Sequence, residues 1–141
     1  MRVVGINGKE YIWNLAKYNV FNNETRPRSK YHLRARNLLK DIFHSYRILE
    51  EVKLPGSTAR YRKGVLYLDF YIPQIKRAFE VHGQQHYEFT PFFHKAPSDF
   101  VLAKGKDQDK IDWCELNSIS LVALKYSDSD DYWRNQIEQS F

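Results

Sequence analysis

Two acidic residues and a histidine stand where a hairpin would bring them together. Asp69 lies in the run Leu68-Asp69-Phe70-Tyr71-Ile72, and Glu80 and His82 lie in Arg77-Ala78-Phe79-Glu80-Val81-His82-Gly83. Pro73 to Lys76 separates the two runs and reads as a four-residue turn. That loop length sets Ile72 against Arg77, Tyr71 against Ala78, Phe70 against Phe79 and Asp69 against Glu80. Opposed residues of an antiparallel pair share a face, so the strand period of 2 places His82 with the two acids. Leu68, Phe70, Phe79 and Val81 then take the apolar face. Like charges in direct opposition destabilise a sheet or raise a pKa, and a bound cation resolves the conflict. Two carboxylates suit a hard ion such as Mg²⁺, with Mn²⁺ as substitute; Mg²⁺ keeps several waters and bridges readily to phosphate. A zinc site from His82, His86, His94 and Cys114 is the competing reading, but no paired-cysteine spacing supports it.

The elements that must hold these residues follow from local pattern. Asn7-Gly8 between two β-prone runs predicts an N-terminal hairpin over residues 2–13. An Asn-rich, charged connection containing Pro27 comes next, so residues 1–28 read as a hairpin with a basic connection and 29–141 as the main domain. Ser29 can cap a helix whose apolar positions Tyr31, Ala35, Leu38, Leu39, Ile42 and Phe43 follow the 3.6 period. The same period extends the apolar face to Tyr46, and the other face carries Lys30, His32, Arg34, Arg36 and Lys40. Strands are expected within residues 47–54, 65–72, 77–82 and 120–126, with a helix from Ser98 that tolerates Gly105 and a last helix opened by the acids of SDSDD. The order α-β-β-β-α-β-α behind a hairpin predicts an α/β fold, a mixed sheet flanked by helices.

Composition narrows the partners. The chain has 141 residues, 43 % of them hydrophobic and 16 % aromatic, which suits one folded domain rather than a disordered segment. Residues 1–64 hold 14 Lys and Arg against 5 acids, whereas residues 65–141 hold 8 against 12, so the net charge of +5 conceals a basic half. Basic side chains interleaved with aromatics point to a nucleic-acid partner. No apolar run approaches the roughly 20 residues that span a bilayer, so no membrane partner is expected. One cysteine and an N-terminus without an export-type apolar run suggest the cytoplasm, or the host cytoplasm for a phage-encoded chain.

An Asp on one strand, followed across a hairpin by Glu-x-(basic residue), resembles the PD-(D/E)XK nuclease superfamily and its α-β-β-β-α-β core, the restriction-endonuclease-like fold. Here the motif stands as Asp69 and Glu80-Val81-His82, with histidine in place of the usual lysine. That replacement, with LPGS before the hairpin and HGQQHY after it, is similar to the branch of very-short-patch repair endonucleases and phage EDxHD homing endonucleases.

The resemblance implies a metal-dependent DNA endonuclease. Asp69, Glu80 and the Val81 carbonyl would hold the metal, His82 would accept the proton of the attacking water, and His86 would assist. In many relatives the first helix adds an acid, at the place taken here by His32; Glu51 is a fallback ligand. Arg26, Arg28, Lys30, Arg34, Arg36, Arg60, Arg62 and Lys63 are the expected contacts to double-stranded DNA. Cutting both strands would need a homodimer or two successive nicks. A mismatch- or structure-selective repair nuclease and a non-cleaving DNA-binding module are the alternatives.

Overall fold

The computed structural model describes residues 1–18, 29–58, 64–83 and 96–140. Strands β1 (Arg2–Val4) and β2 (Glu10–Ile12) form the N-terminal hairpin, and Gly8 turns it with a φ of 82°, which a side chain would oppose. Helix α1 (Lys30–Ile42) starts where Ser29 Oγ accepts from the His32 amide at 3.1 Å, as the sequence predicts. Strands β3 (Leu49–Lys53), β4 (Tyr67–Ile72) and β5 (Arg77–His82) follow, then helix α2 (Pro97–Leu116), strand β6 (Ser120–Lys125) and helix α3 (Asp130–Gln139).

The four long strands make one mixed sheet in the order β3-β4-β5-β6, antiparallel except for the parallel β5–β6 pair. The expected α/β fold is the fold observed. A single 3-10 turn at Pro73–Ile75 and a left-handed Lys76 join β4 to β5, with Phe70, Tyr71 and Ile72 opposite Phe79, Ala78 and Arg77. The register read from the sequence therefore holds.

Each face of the sheet carries its own core. On one side α1 and α3 bring Ala35, Leu39, Phe43, Trp133 and Ile137 onto Phe70, Ile72, Phe79 and Leu124. On the other, α2 and the hairpin bring Trp113, Cys114, Val3 and Trp13 onto Leu49, Val52, Leu68, Tyr71 and Ala78. Trp13 and Trp113 meet edge to face at 5.0 Å, and their indole N–H groups donate to the carbonyls of Lys53 and Pro55. The hairpin thus packs into the same body as the sheet, and Asn117 ties it to the end of α2 through both the amide and the carbonyl of Val4.

Strict alternation fails at one place. Leu68, expected beside Phe70 and Phe79, joins the α2-side core instead, because the pattern resets across Asp69. The facing residue, Glu51, has a φ of 50°, and the paired rows resume only at Val52 and Leu68. Left-handed backbone at a non-glycine residue is uncommon and gathers at functional sites.

Candidate active site

The reset coincides with the row that holds Asp69 and Glu80. Beyond the Phe70–Phe79 pair the carboxylates replace the β4–β5 ladder. The Asp69 amide donates to Glu80 Oε2 at 2.8 Å, and the Val81 amide donates to Asp69 Oδ2 at 2.8 Å. Each acid is thus fixed by the backbone of the opposite strand. Glu80 is 2 % exposed, so its charge demands a partner.

That partner is Lys110 of α2, whose Nζ binds Glu80 Oε1. In the sequence Lys110 is one of several charged residues in the run Lys106-Asp107-Gln108-Asp109-Lys110 and carries no local signal of its own. The i, i+4 face of α2 explains its position: Cys114 one turn further on is buried against the sheet, and Trp113 anchors the helix beside it. Burial opposes the Lys110 charge, but Glu80 and Asp69 outweigh it and raise its pKa above the usual lysine range. Asp69 moves the other way from an ordinary paired acid. Burial, then the neighbouring Glu80 charge, push its carboxyl well above the usual aspartate range despite Lys110 and the Val81 amide.

Counting Asp69, Glu80 and Lys110 alone, two acids face one ammonium, leaving the cluster short of positive charge. Carboxyl oxygens are the donors a hard cation prefers. Among the described residues no three His, Cys, Asp or Glu side chains gather as a metal site, so an ion here would take most of its ligands from water. Glu51 faces Asp69 across β3–β4 yet does not complete such a cluster. It is the Val81 amide, rather than the carbonyl expected as a metal ligand, that meets Asp69. His82 closes β5, half-buried and on the strand face of Glu80; its carbonyl accepts from the Tyr126 amide at 2.8 Å, and it lies in register with Lys125 of β6.

Two residues expected on the open face of α1 are internal. His32 is 8 % exposed and Arg36 only 4 %. Both reach Glu50 of β3, which is fully buried: Arg36 binds it through Nε at 2.7 Å and Nη2 at 2.8 Å, and His32 Nε2 lies 3.1 Å away with its ring stacked on Phe70 at 4.6 Å. Burial raises the Glu50 pKa, but the bonds from His32 and Arg36 overcome it and hold the carboxyl below its usual range. Arg36 is therefore a structural cation rather than a phosphate contact, and His32 supports Glu50 instead of entering the Asp69–Glu80 cluster.

Arg34 is likewise engaged, bonding Asp130 and the Asp128 carbonyl while lying 3.8 Å over the Trp133 ring. Lys30 is exposed, as a DNA contact requires. Arg26, Arg28, Arg60, Arg62, Lys63, His86 and His94 lie outside the described residues. Cys114 is buried, and burial together with Glu80 pushes its thiol up to about 12, which disfavours the thiolate that zinc needs.

Comparison with known proteins gives viral relatives. The chain is 32 % identical over 79 residues to uncharacterized protein 307L of Invertebrate iridescent virus 6, covering 56 % of this chain and 40 % of that protein. It is 31 % identical over 91 residues to uncharacterized protein 094L of Frog virus 3 (isolate Goorha), covering 61 % and 59 %, and 31 % identical over 62 residues to uncharacterized protein 033L of Invertebrate iridescent virus 3, covering 44 % and 32 %. The chain thus spans less than two thirds of the length of each. No family profile and no solved structure matches it.

Proposed function

We propose that the protein is a metal-dependent DNA endonuclease that hydrolyses phosphodiesters in double-stranded DNA. The observation that carries this reading is the reciprocal Asp69–Glu80 arrangement at an interrupted β4–β5 ladder, with Lys110 set against Glu80. Buried like charges cost stability, and a fold that holds them in place by two backbone amides is organised for a ligand.

Asp69 and Glu80 would hold Mg²⁺ or Mn²⁺, which supplies phosphate polarisation and a more acidic water. Lys110 fixes the Glu80 carboxylate and places a permanent positive charge beside the phosphate. That is the electrostatic part a lysine plays in the family the motif resembles, delivered here from α2 rather than from β5. His82, on the same strand face, accepts the proton of the attacking water. Lys30 at the start of α1 offers a contact to the DNA backbone. The viral relatives and the absence of a membrane-spanning helix among the described residues are compatible with a nucleic-acid enzyme.

Incubation with supercoiled plasmid, in Mg²⁺ and in EDTA, tests the reading. Nicked or linear product only with Mg²⁺, and none from Asp69→Asn, is the expected result. DNA binding that ignores Mg²⁺ and survives Asp69→Asn with no cutting would instead identify a non-cleaving DNA-binding module.

A further inference from the structure

We propose that Lys106 of α2 and Lys125 of β6, on either side of His82, form a second phosphate site one row beyond the Asp69–Glu80 cluster, holding the phosphate next to the one being cut. The inference rests on the endonuclease reading for the identity of that strand.

The alternation of β5 and β6 decides which side of the sheet is involved. Ala78 joins the α2-side core whereas Phe79 and Val81 pack toward α1 and α3, so Glu80 and His82 point to the α2 side. On β6, Leu121 packs on the α2-side core and Val122 and Leu124 on the other, so Ala123 and Lys125 also point to α2. The parallel register sets Ala123 beside Glu80 and Lys125 beside His82. All four share the face on which Lys110 meets Glu80.

Helix α2 adds a cation to the outer row. Lys110 stands at the level of Glu80, and the chain turns after Leu116 into β6, whose Ser120 is level with Arg77. The helix therefore runs antiparallel to β5, and going back along it leads from Glu80 toward His82. Lys106 is four residues before Lys110, on the same helix face and about 6 Å along the axis. The two strand residues from Glu80 to His82 cover about 6.6 Å. Lys106 thus comes level with the His82–Lys125 pair, and the two rows are separated by a step close to that between successive phosphates of one strand.

The outer row is open. Lys106, Lys125 and Ala123 are exposed, and His82 is half-buried. Ala123 presents only a methyl group beside Glu80, which leaves room for a sugar-phosphate between the rows. The acids of α2 nearest this row are directed elsewhere: Asp99 accepts from the Ala96 amide at 3.1 Å, and the charge of Asp107 acts on Lys110. Two ammonium groups flanking the proposed proton acceptor can fix the strand without contacting the reacting atoms.

Salt dependence of binding, measured in EDTA where no cutting occurs, separates this site from catalysis. Lys106→Met and Lys125→Met each remove a charge and keep an apolar stem, and the two Arg variants keep the charge. Lys104→Met is the control: Lys104 is on the same helix, about 200° around it from Lys106, with its Nζ 5.7 Å from the Phe100 ring centroid. For a fluorescein-labelled duplex, each of the first two Met variants should flatten the slope of log affinity against log salt by about 1, and the double variant by about 2. Both Arg variants and Lys104→Met should keep the wild-type slope. In Mg²⁺, Lys106→Met and Lys125→Met should raise KM with kcat held within about 2-fold, because the phosphate they contact does not react. An unchanged slope, an equal flattening by Lys104→Met, or a fall in kcat at unchanged KM would each overturn the proposal. Slopes as expected from a wild-type protein that cuts no plasmid would remove the nuclease reading and leave the two lysines as a DNA phosphate site.

Discussion

The backbone amide of Asp69 donates to the side chain of Glu80 at 2.8 Å, so an acid holds in place the strand that carries the second acid. The Val81 amide returns the bond to Asp69. Neither carboxylate can swing away from the other without leaving a partly buried amide of the opposite strand unpaired, which keeps the pair together even though their charges repel.

Asp69→Asn should therefore stabilise the fold at neutral pH. The Asp69 pKa is raised in the native state, so the native protein binds more protons than the unfolded chain above the ordinary aspartate range, and stability falls as pH rises from about 4 toward the raised value. Removing the charge should lift Tm at pH 7 by roughly 2–8 °C, the span corresponding to about 1 kcal/mol. Melts from pH 4 to 8 should show a flatter profile in the variant; an Asn variant that melts lower at every pH would show that Asp69 is stabilised as an anion.

Lys110→Met should act in the opposite direction. It leaves Glu80 buried without its cation, a loss of about 3–5 kcal/mol at neutral pH. If the cluster takes a divalent ion, millimolar Mg²⁺ should restore part of the lost Tm, because a ligand that binds only the native state stabilises it by mass action. A variant melt indifferent to Mg²⁺ would take the metal out of the proposed mechanism.

Arg36→Ala should cost about 3–5 kcal/mol through the orphaned Glu50, and chemical denaturation will measure it. The folded protein should bind duplex DNA as before, since Arg36 is internal. The Glu50 pKa is lowered in the native state, so its stabilisation is present above the ordinary carboxylate range and is lost as pH falls through the native value. Weakened DNA binding with an unchanged melt would return Arg36 to the phosphate face.

His82→Ala should lower the cleavage rate by about 10²–10⁴ with little effect on DNA affinity, the usual worth of a positioned proton acceptor. Rates and binding measured on the same oligonucleotide separate the two effects. An equal loss in both would make His82 a binding residue.

Much of this protein was legible in its residues. The Pro73–Lys76 turn and the period of 2 set the β4–β5 register, which a one-residue slip would have inverted, and so placed Asp69 against Glu80. Ser29, the Asn7-Gly8 turn and the acids in the first turn of α3 marked element ends through local hydrogen bonding, φ preferences and the helix dipole, none of which needs a tertiary contact. Other features depended on groups far apart in the chain. Lys110 reaches Glu80 across 30 residues because Trp113 and Cys114 dock α2 on the sheet, and the nearly even spread of apolar residues around that helix gives no hint of which side is buried. Arg36 and His32 looked like a solvated face because helical periodicity reports polarity alone, and only β3, delivering Glu50 beneath α1, makes burial of that charge favourable. The sequence determined which acids share a row of the sheet; the packing of α1 and α2 decided which cations answer them, since a buried charge is set by what folds against it and not by its neighbours in the chain.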